Sequence, residues 1–225
     1  MPDSVTWVLC GFQLLIFVDL LWGCRTEIAR QMPLLGAFVW WSLVAFVLLT
    51  VLWAFQGQVG SLYFHLYYMT CLIHFGFLTA MTLDIHRNCR LRWTWRSSGM
   101  IAVFLSIFLG HFLFASRVLG SLYVLAITLL VHIQAFLCAA LNLALAYSSG
   151  VKLGRVRGAV LWAVTVATML NYVVYVTPAF DLLPYEVMRH FIPWVSLAFW
   201  LLLVYGLRFK PEEAFQTARP KTRTT

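Results

Sequence analysis

Residues 34–55 read LLGAFVWWSLVAFVLLTVLWAF, a run of twenty-two positions with no charge and with hydroxyls only at Ser42 and Thr50. As a helix rising 1.5 Å per residue it covers about 33 Å, enough for the ~30 Å hydrocarbon layer of a bilayer. A strand of a membrane barrel would be about ten residues long and would alternate polar with apolar, which this run does not do. Lipid offers the backbone no hydrogen-bond partner, so an apolar run of this length is satisfied only as a helix.

Working outward, six more segments share that character. They run from Val5 to Gly23, Ser61 to Leu83, Gly99 to Ser116, Leu119 to Tyr147, Val156 to Val176 and Val187 to Leu207. With Leu34 to Phe55 they predict an all-α, polytopic membrane helix bundle of about seven transmembrane helices over residues 1–207. The fourth is expected to be short and the fifth long, with the break between Ser116 and Ser121. Residues 208–225 are polar, contain Pro211 and Pro220, and are expected to form a short, disordered basic tail. Pro178, Asp181, Pro184 and Glu186 suggest an ordered turn before the last helix. The opening residues lack a positive segment before the first apolar run, which is therefore expected to be retained as a helix.

Composition agrees. The chain is 62% hydrophobic and 11% charged, with mean hydropathy +0.85, whereas a soluble domain carries about a quarter charged residues. The net charge of +8 could suit nucleic acid. A nucleic-acid binder, however, gathers its basic residues on one soluble face, and here they sit at the ends of apolar runs, so no nucleic-acid partner is expected. The partner implied by composition is the lipid bilayer. Cys10, Cys24, Cys71, Cys89 and Cys138 form no CxxC pair, and neither a disulfide framework nor a zinc site is expected from them.

The basic residues also orient the chain. Arg25 and Arg30 follow the first segment; Arg87, Arg90, Arg92 and Arg96 follow the third; Lys152, Arg155 and Arg157 follow the fifth; Arg208, Lys210, Arg219, Lys221 and Arg223 follow the seventh. Only Arg117 and Arg189 fall on the other side. Loops rich in Lys and Arg stay in the cytoplasm, so the N-terminus is expected outside and the C-terminus inside, as in a multi-pass protein of a bacterial inner membrane.

Polar side chains at membrane depth usually face the bundle interior and mark candidate sites. Tyr67, Thr70, Cys71 and His74 share one helical stripe; so do Thr128, His132, Ala135, Ala139 and Asn142; Thr165, Thr168, Asn171 and Tyr175 do so more loosely. Three such stripes could line one cavity, for which Gln13, Tyr67, His74, His132, Gln134 and Asn171 are the candidate ligand residues. His74 and His132 also have the depth of a bis-histidine haem pair, the one cofactor the sequence brings to mind; no other metal site is expected. Asp19 and Asp84 stand near cytoplasmic helix ends, where they can pair with nearby arginines. Tyr63, Phe64, Tyr67 and Tyr68, with Trp93 and Trp95, have the placement of interfacial aromatic belts. Ala135 with Ala139, and Ala140 with Ala144, permit close helix approach.

No phosphate-binding GxxxxGK[ST], HExxH or GxSxG occurs, so no enzymatic activity is indicated. Lys152, Lys210 and Lys221 are the only lysines, and none lies in the last apolar segment, which excludes a retinal Schiff base there. Three functions remain: a sensor-like or complex-assembly subunit binding a small apolar ligand or another membrane protein, a small permease with a path along Gln13, His74, His132, Gln134 and Asn171, or a b-haem redox protein.

With its outside N-terminus, seven compact helices and tight connections, the chain resembles small uncharacterised bacterial seven-helix membrane proteins. More distantly, it resembles the seven-helix input region of bacterial histidine kinases. The resemblance is one of layout, carries no diagnostic motif, and transfers no site residue; the chain ends before a kinase domain would begin. The charge pattern makes a direct prediction. Topology reporters fused after Gly57 should report the outer face, and those at Asn88 and near Pro211 the cytoplasm; an outer signal at Asn88 would invert the assigned orientation.

Overall fold

The computed structural model describes residues 4–56, 61–89, 93–118, 122–147, 151, 153–179 and 191–209. Among these there are eight α-helices and no strand. They are α1 (Ser4–Val18), α2 (Arg25–Gln31), α3 (Pro33–Gln56), α4 (Ser61–Cys89), α5 (Trp95–Val118), α6 (Leu122–Tyr147), α7 (Arg155–Ala179) and α8 (Ile192–Arg208); a π-helical turn, Asp19–Gly23, extends α1.

Three helices are long and apolar enough to cross a membrane: Pro33–Phe55, His65–Cys89 and Arg155–Val174. A fourth crossing is available if Trp7–Gly23 and Arg25–Gln31, bent by 68°, count as one broken span. Trp95–Gly110, Leu129–Leu145 and Pro193–Arg208 are shorter apolar helices.

Several boundaries differ from the sequence expectation. The break near residue 118 leaves α5 and α6 nearly equal, at 24 and 26 residues, instead of short and long. α5 begins four residues before Gly99 because Thr94 and Ser97 cap it reciprocally: the Thr94 amide donates to Ser97 Oγ at 2.9 Å, and the Ser97 amide to Thr94 Oγ1 at 3.3 Å. α4 runs on past Leu83 to Cys89, with Asn88 Nδ2 donating to the Asp84 carboxylate at 2.9 Å. The connection expected after the first helix contains α2. Cys24, Ile28 and Met32 recur at i, i+4, i+8 and all are buried, which seats α2 on the bundle. Pro33 then excludes Met32 from the helical region; Met32 has φ −155°, ψ 76°, and α3 starts at the proline. The expected disordered tail lies outside the described residues from 210 onward; of the turn expected over 177–186, residues 177–179 instead end α7 and the rest lies outside the described residues.

α7 is the central element, packing on α8, α6, α5, α4 and α2. Its inner face is built from Val156, Ala159, Val160, Ala163, Val164 and Ala167, all buried, and these small side chains allow close approach of its neighbours. The alanines of α6, at 135, 139, 140 and 144, are buried likewise. The same core continues to α1, α3, α4 and α8 through rings. Trp200 meets Phe17 at 4.7 Å edge-on, stacks on Phe38 at 5.4 Å and contacts Phe199 at 4.8 Å; Phe38 also meets Phe77 at 5.7 Å. Offset and edge-on ring pairs add about 0.5–1.5 kcal/mol each beyond their burial.

Because Ala163 is fully enclosed, Ala163→Leu should overpack α7 and cost about 1–3 kcal/mol. Leu170→Ala, 40% exposed on the same helix, should change stability by less than about 0.5 kcal/mol. Thermal unfolding of both variants in one detergent tests the difference.

Candidate functional site

The polar side chains singled out by position are used mainly to join helices in pairs. Gln13 Nε2 on α1 donates to Ser196 Oγ on α8 at 3.4 Å. His74 Nε2 on α4 is 3.1 Å from Ser42 Oγ on α3, with its ring edge-on to Phe38 at 5.3 Å. Gln134 Nε2 on α6 donates to the Phe75 carbonyl of α4 at 3.4 Å. Asn142 Nδ2 on α6 donates to Thr165 Oγ1 on α7 at 2.7 Å. Thr82, Thr165 and Thr168 return their hydroxyls to carbonyls of their own helices.

Tyr67 is partly buried in a ring group with Tyr63, at 6.2 Å, and Tyr68, at 5.6 Å. His132 is buried on α6 between Tyr172 of α7, at 4.8 Å, and Phe108 of α5, at 6.2 Å. Asn171 is partly buried beside Tyr172. The expected convergence is therefore divided: His74 belongs to the α3–α4 contact, while His132 belongs to the α5–α6–α7 contact. Among the described residues no three His, Cys, Asp or Glu side chains gather as a metal site. The side chains of Thr128 and Tyr175 lie outside those described.

The end of the molecule that carries the basic residues is organised differently. The Arg208 guanidinium closes on the Asp19 carboxylate through both oxygens, Nε reaching Oδ2 at 3.3 Å, and ties the end of α8 to the end of α1. Gly23 makes this possible, since a β-carbon there would overlap the guanidinium and stand 2.8 Å from Asp19 Oδ1. A second connection centres on Gln31 at the end of α2. Its Oε1 accepts from the Val156 amide at 3.3 Å, its carbonyl accepts from Arg157 Nη2 at 3.1 Å, and its Nε2 donates to Glu27 at 3.3 Å. Gln31 thus caps the first turn of α7 from another element. Gly154, at φ 72°, starts that turn and would place a β-carbon 3.1 Å from Gln31 Oε1, so glycine meets both the backbone and the space requirement. Arg157 Nε also lies 3.8 Å from Asp84 on α4. The expectation that Asp19 and Asp84 pair with arginines is met by Arg208 and Arg157.

Beside this network the bend between α1 and α2 leaves a groove of about 320 Å³ against the start of α3, within the ~300–1,000 Å³ usual for small-ligand sites. Leu21, Ile28, Gly36 and Ala37 line it, Trp22 and Trp40 flank it, and Arg25 contributes its charged side chain. None of these residues was a sequence candidate. The signal was present in the Cys24, Ile28, Met32 spacing followed by Pro33, which marks a short helix turned back onto the next. Searches against protein-family models, curated proteins and solved structures matched nothing to this chain.

The Asp19–Arg208 pair is exposed on both sides, so solvent screening leaves it weak. Gly23→Ala should be destabilising in the wild-type background and much less so with Arg208→Ala, a non-additive result in a double-mutant cycle. Additive effects would show that Gly23 does not serve the ion pair.

Proposed function

We propose that this chain is a non-catalytic integral membrane protein of seven spans, with its N-terminus outside and its C-terminal tail in the cytoplasm. It acts as a sensor-like or assembly subunit, and the groove at its cytoplasmic side is its recognition site. In support of the span count, α1 with its π turn and α3 to α8 are seven apolar helices, of which three are long and apolar enough to cross a membrane and a fourth crossing is available if the bent α1–α2 pair is one span. Asp19–Arg208 joins the ends of α1 and α8, while Asp84–Arg157 and Val156–Gln31 join the ends of α4 and α2 to the start of α7. These contacts agree with alternate passes, and the basic clusters near them favour the cytoplasm. At 29 residues, α4 is about 43 Å long, so its Asp84–Cys89 end reaches beyond the hydrocarbon layer. α2 then lies along the cytoplasmic membrane surface.

The observation that carries the functional reading is the groove itself, an apolar recess with one cationic rim residue, placed at the bend where the first span meets the surface helix. A permease path along Gln13, His74, His132, Gln134 and Asn171 fits less well. Gln13, His74 and Gln134 are bonded across three different helix pairs, and a substrate would have to break each bond in turn.

A photoreactive residue in place of Trp40, at the groove, should give a discrete adduct in cells. The same group in place of Leu72, which is half exposed on α4, should give none. Equal, diffuse labelling at the two positions would remove the groove as a recognition site.

A further inference from the structure

We infer that the groove holds one acyl chain of an anionic phospholipid, with the lipid phosphate seated on the Arg25 guanidinium. The inference rests on the reading of the groove as a recognition site at the cytoplasmic leaflet and names its occupant. Charge complementarity selects it. Asp19 is taken by Arg208, Asp84 lies beside Arg157, and Glu27 accepts from Gln31. Every carboxylate among the described residues is thus engaged elsewhere, and Arg25 is exposed at the groove without an acidic partner among them. A guanidinium presents a planar fork of donors that matches a phosphate oxygen pair.

The lining supplies the other half of the match. From Pro33 to Trp40 the groove follows α3 for eight residues, an end-to-end rise of about 10 Å at 1.5 Å per residue. It therefore leads from the headgroup level into the acyl region. Gly36 and Ala37 keep its floor low, with the nearest side-chain atom to a β-carbon at Gly36 being Ile28 Cγ2 at 3.6 Å. Trp22 and Trp40 are 71% and 54% exposed, in the amphipathic position indoles take at a membrane interface. A soluble anion would leave this apolar floor uncovered. A zwitterionic lipid carries its own ammonium, which competes with Arg25 for the phosphate.

Native mass spectrometry of the full chain, loaded with phosphatidylglycerol or phosphatidylcholine of equal chain length, tests this. One phosphatidylglycerol should be retained where phosphatidylcholine is lost, and excess inorganic phosphate should not displace it. Arg25→Gln should weaken retention about tenfold or more, as expected for loss of a charged hydrogen bond. Gly36→Leu should fill the floor and weaken it with Arg25 intact; Ala29→Leu fills the same groove from the exposed face of α2 should the first variant not fold. Equal retention of both lipids, displacement by phosphate alone, or unchanged retention in the Arg25 and groove-filling variants would each overturn the inference. A discrete protein adduct at Trp40 without lipid retention would overturn it while leaving the assembly reading in place; absence of both adduct and lipid would end the two together.

Discussion

Trp200 is the contact on which the arrangement of the first and last helices depends. Its ring is buried against Phe17 of α1, Phe38 of α3 and Phe199 of its own helix, so one side chain sets the lateral position of three helices. Three of the helices are apolar enough to cross a membrane, and for helices in lipid there is little hydrophobic drive to associate, so that shape and ring geometry take over. Once α8 is held there, its last residue, Arg208, falls beside Asp19. The ion pair is a consequence of the aromatic contact more than its cause, because an exposed pair is weak.

The basic end is built by matching few carboxylates to many cations. Asp19 and Asp84 each draw in an arginine from a distant segment, and Gln31 brings the short α2 against the start of α7. Two glycines leave room for these contacts: Gly23 under the Arg208 guanidinium and Gly154 under Gln31. The bend that brings α2 down also opens the groove, since a straight continuation of α1 would not return a side chain toward α3. Structure at this end and the recess beside it therefore share one origin.

Within the apolar layers the polar groups serve association. A buried amide or imidazole facing only apolar neighbours is costly, and the bundle meets that cost by giving Gln13, His74, Gln134 and Asn142 partners on adjacent helices. Such bonds average only about 0.6 kcal/mol between membrane helices, but each has a fixed geometry and so specifies rotation about the helix axes. The α6 and α7 stripes seen in the sequence meet through Asn142 and Thr165, while His74 of the α4 stripe pairs with Ser42 of α3.

The sequence by itself determined the helical class, the positions of the long apolar helices to within a few residues, and the segregation of cationic residues to alternate connections. Those features follow from composition along the chain, because length and hydropathy act residue by residue. It also held the capping pair Thr94 and Ser97 and the buried stripe through Cys24, Ile28 and Met32, which are short signals easily outweighed by the apolar runs around them. Tertiary structure alone decided which partner each polar side chain takes, why His74 and His132 stand in separate contacts, and where a recess opens. Helical periodicity states which residues share a face and leaves open which helix that face meets; the small side chains of α7 and the ring contacts of Trp200 make that choice through packing between segments far apart in the chain.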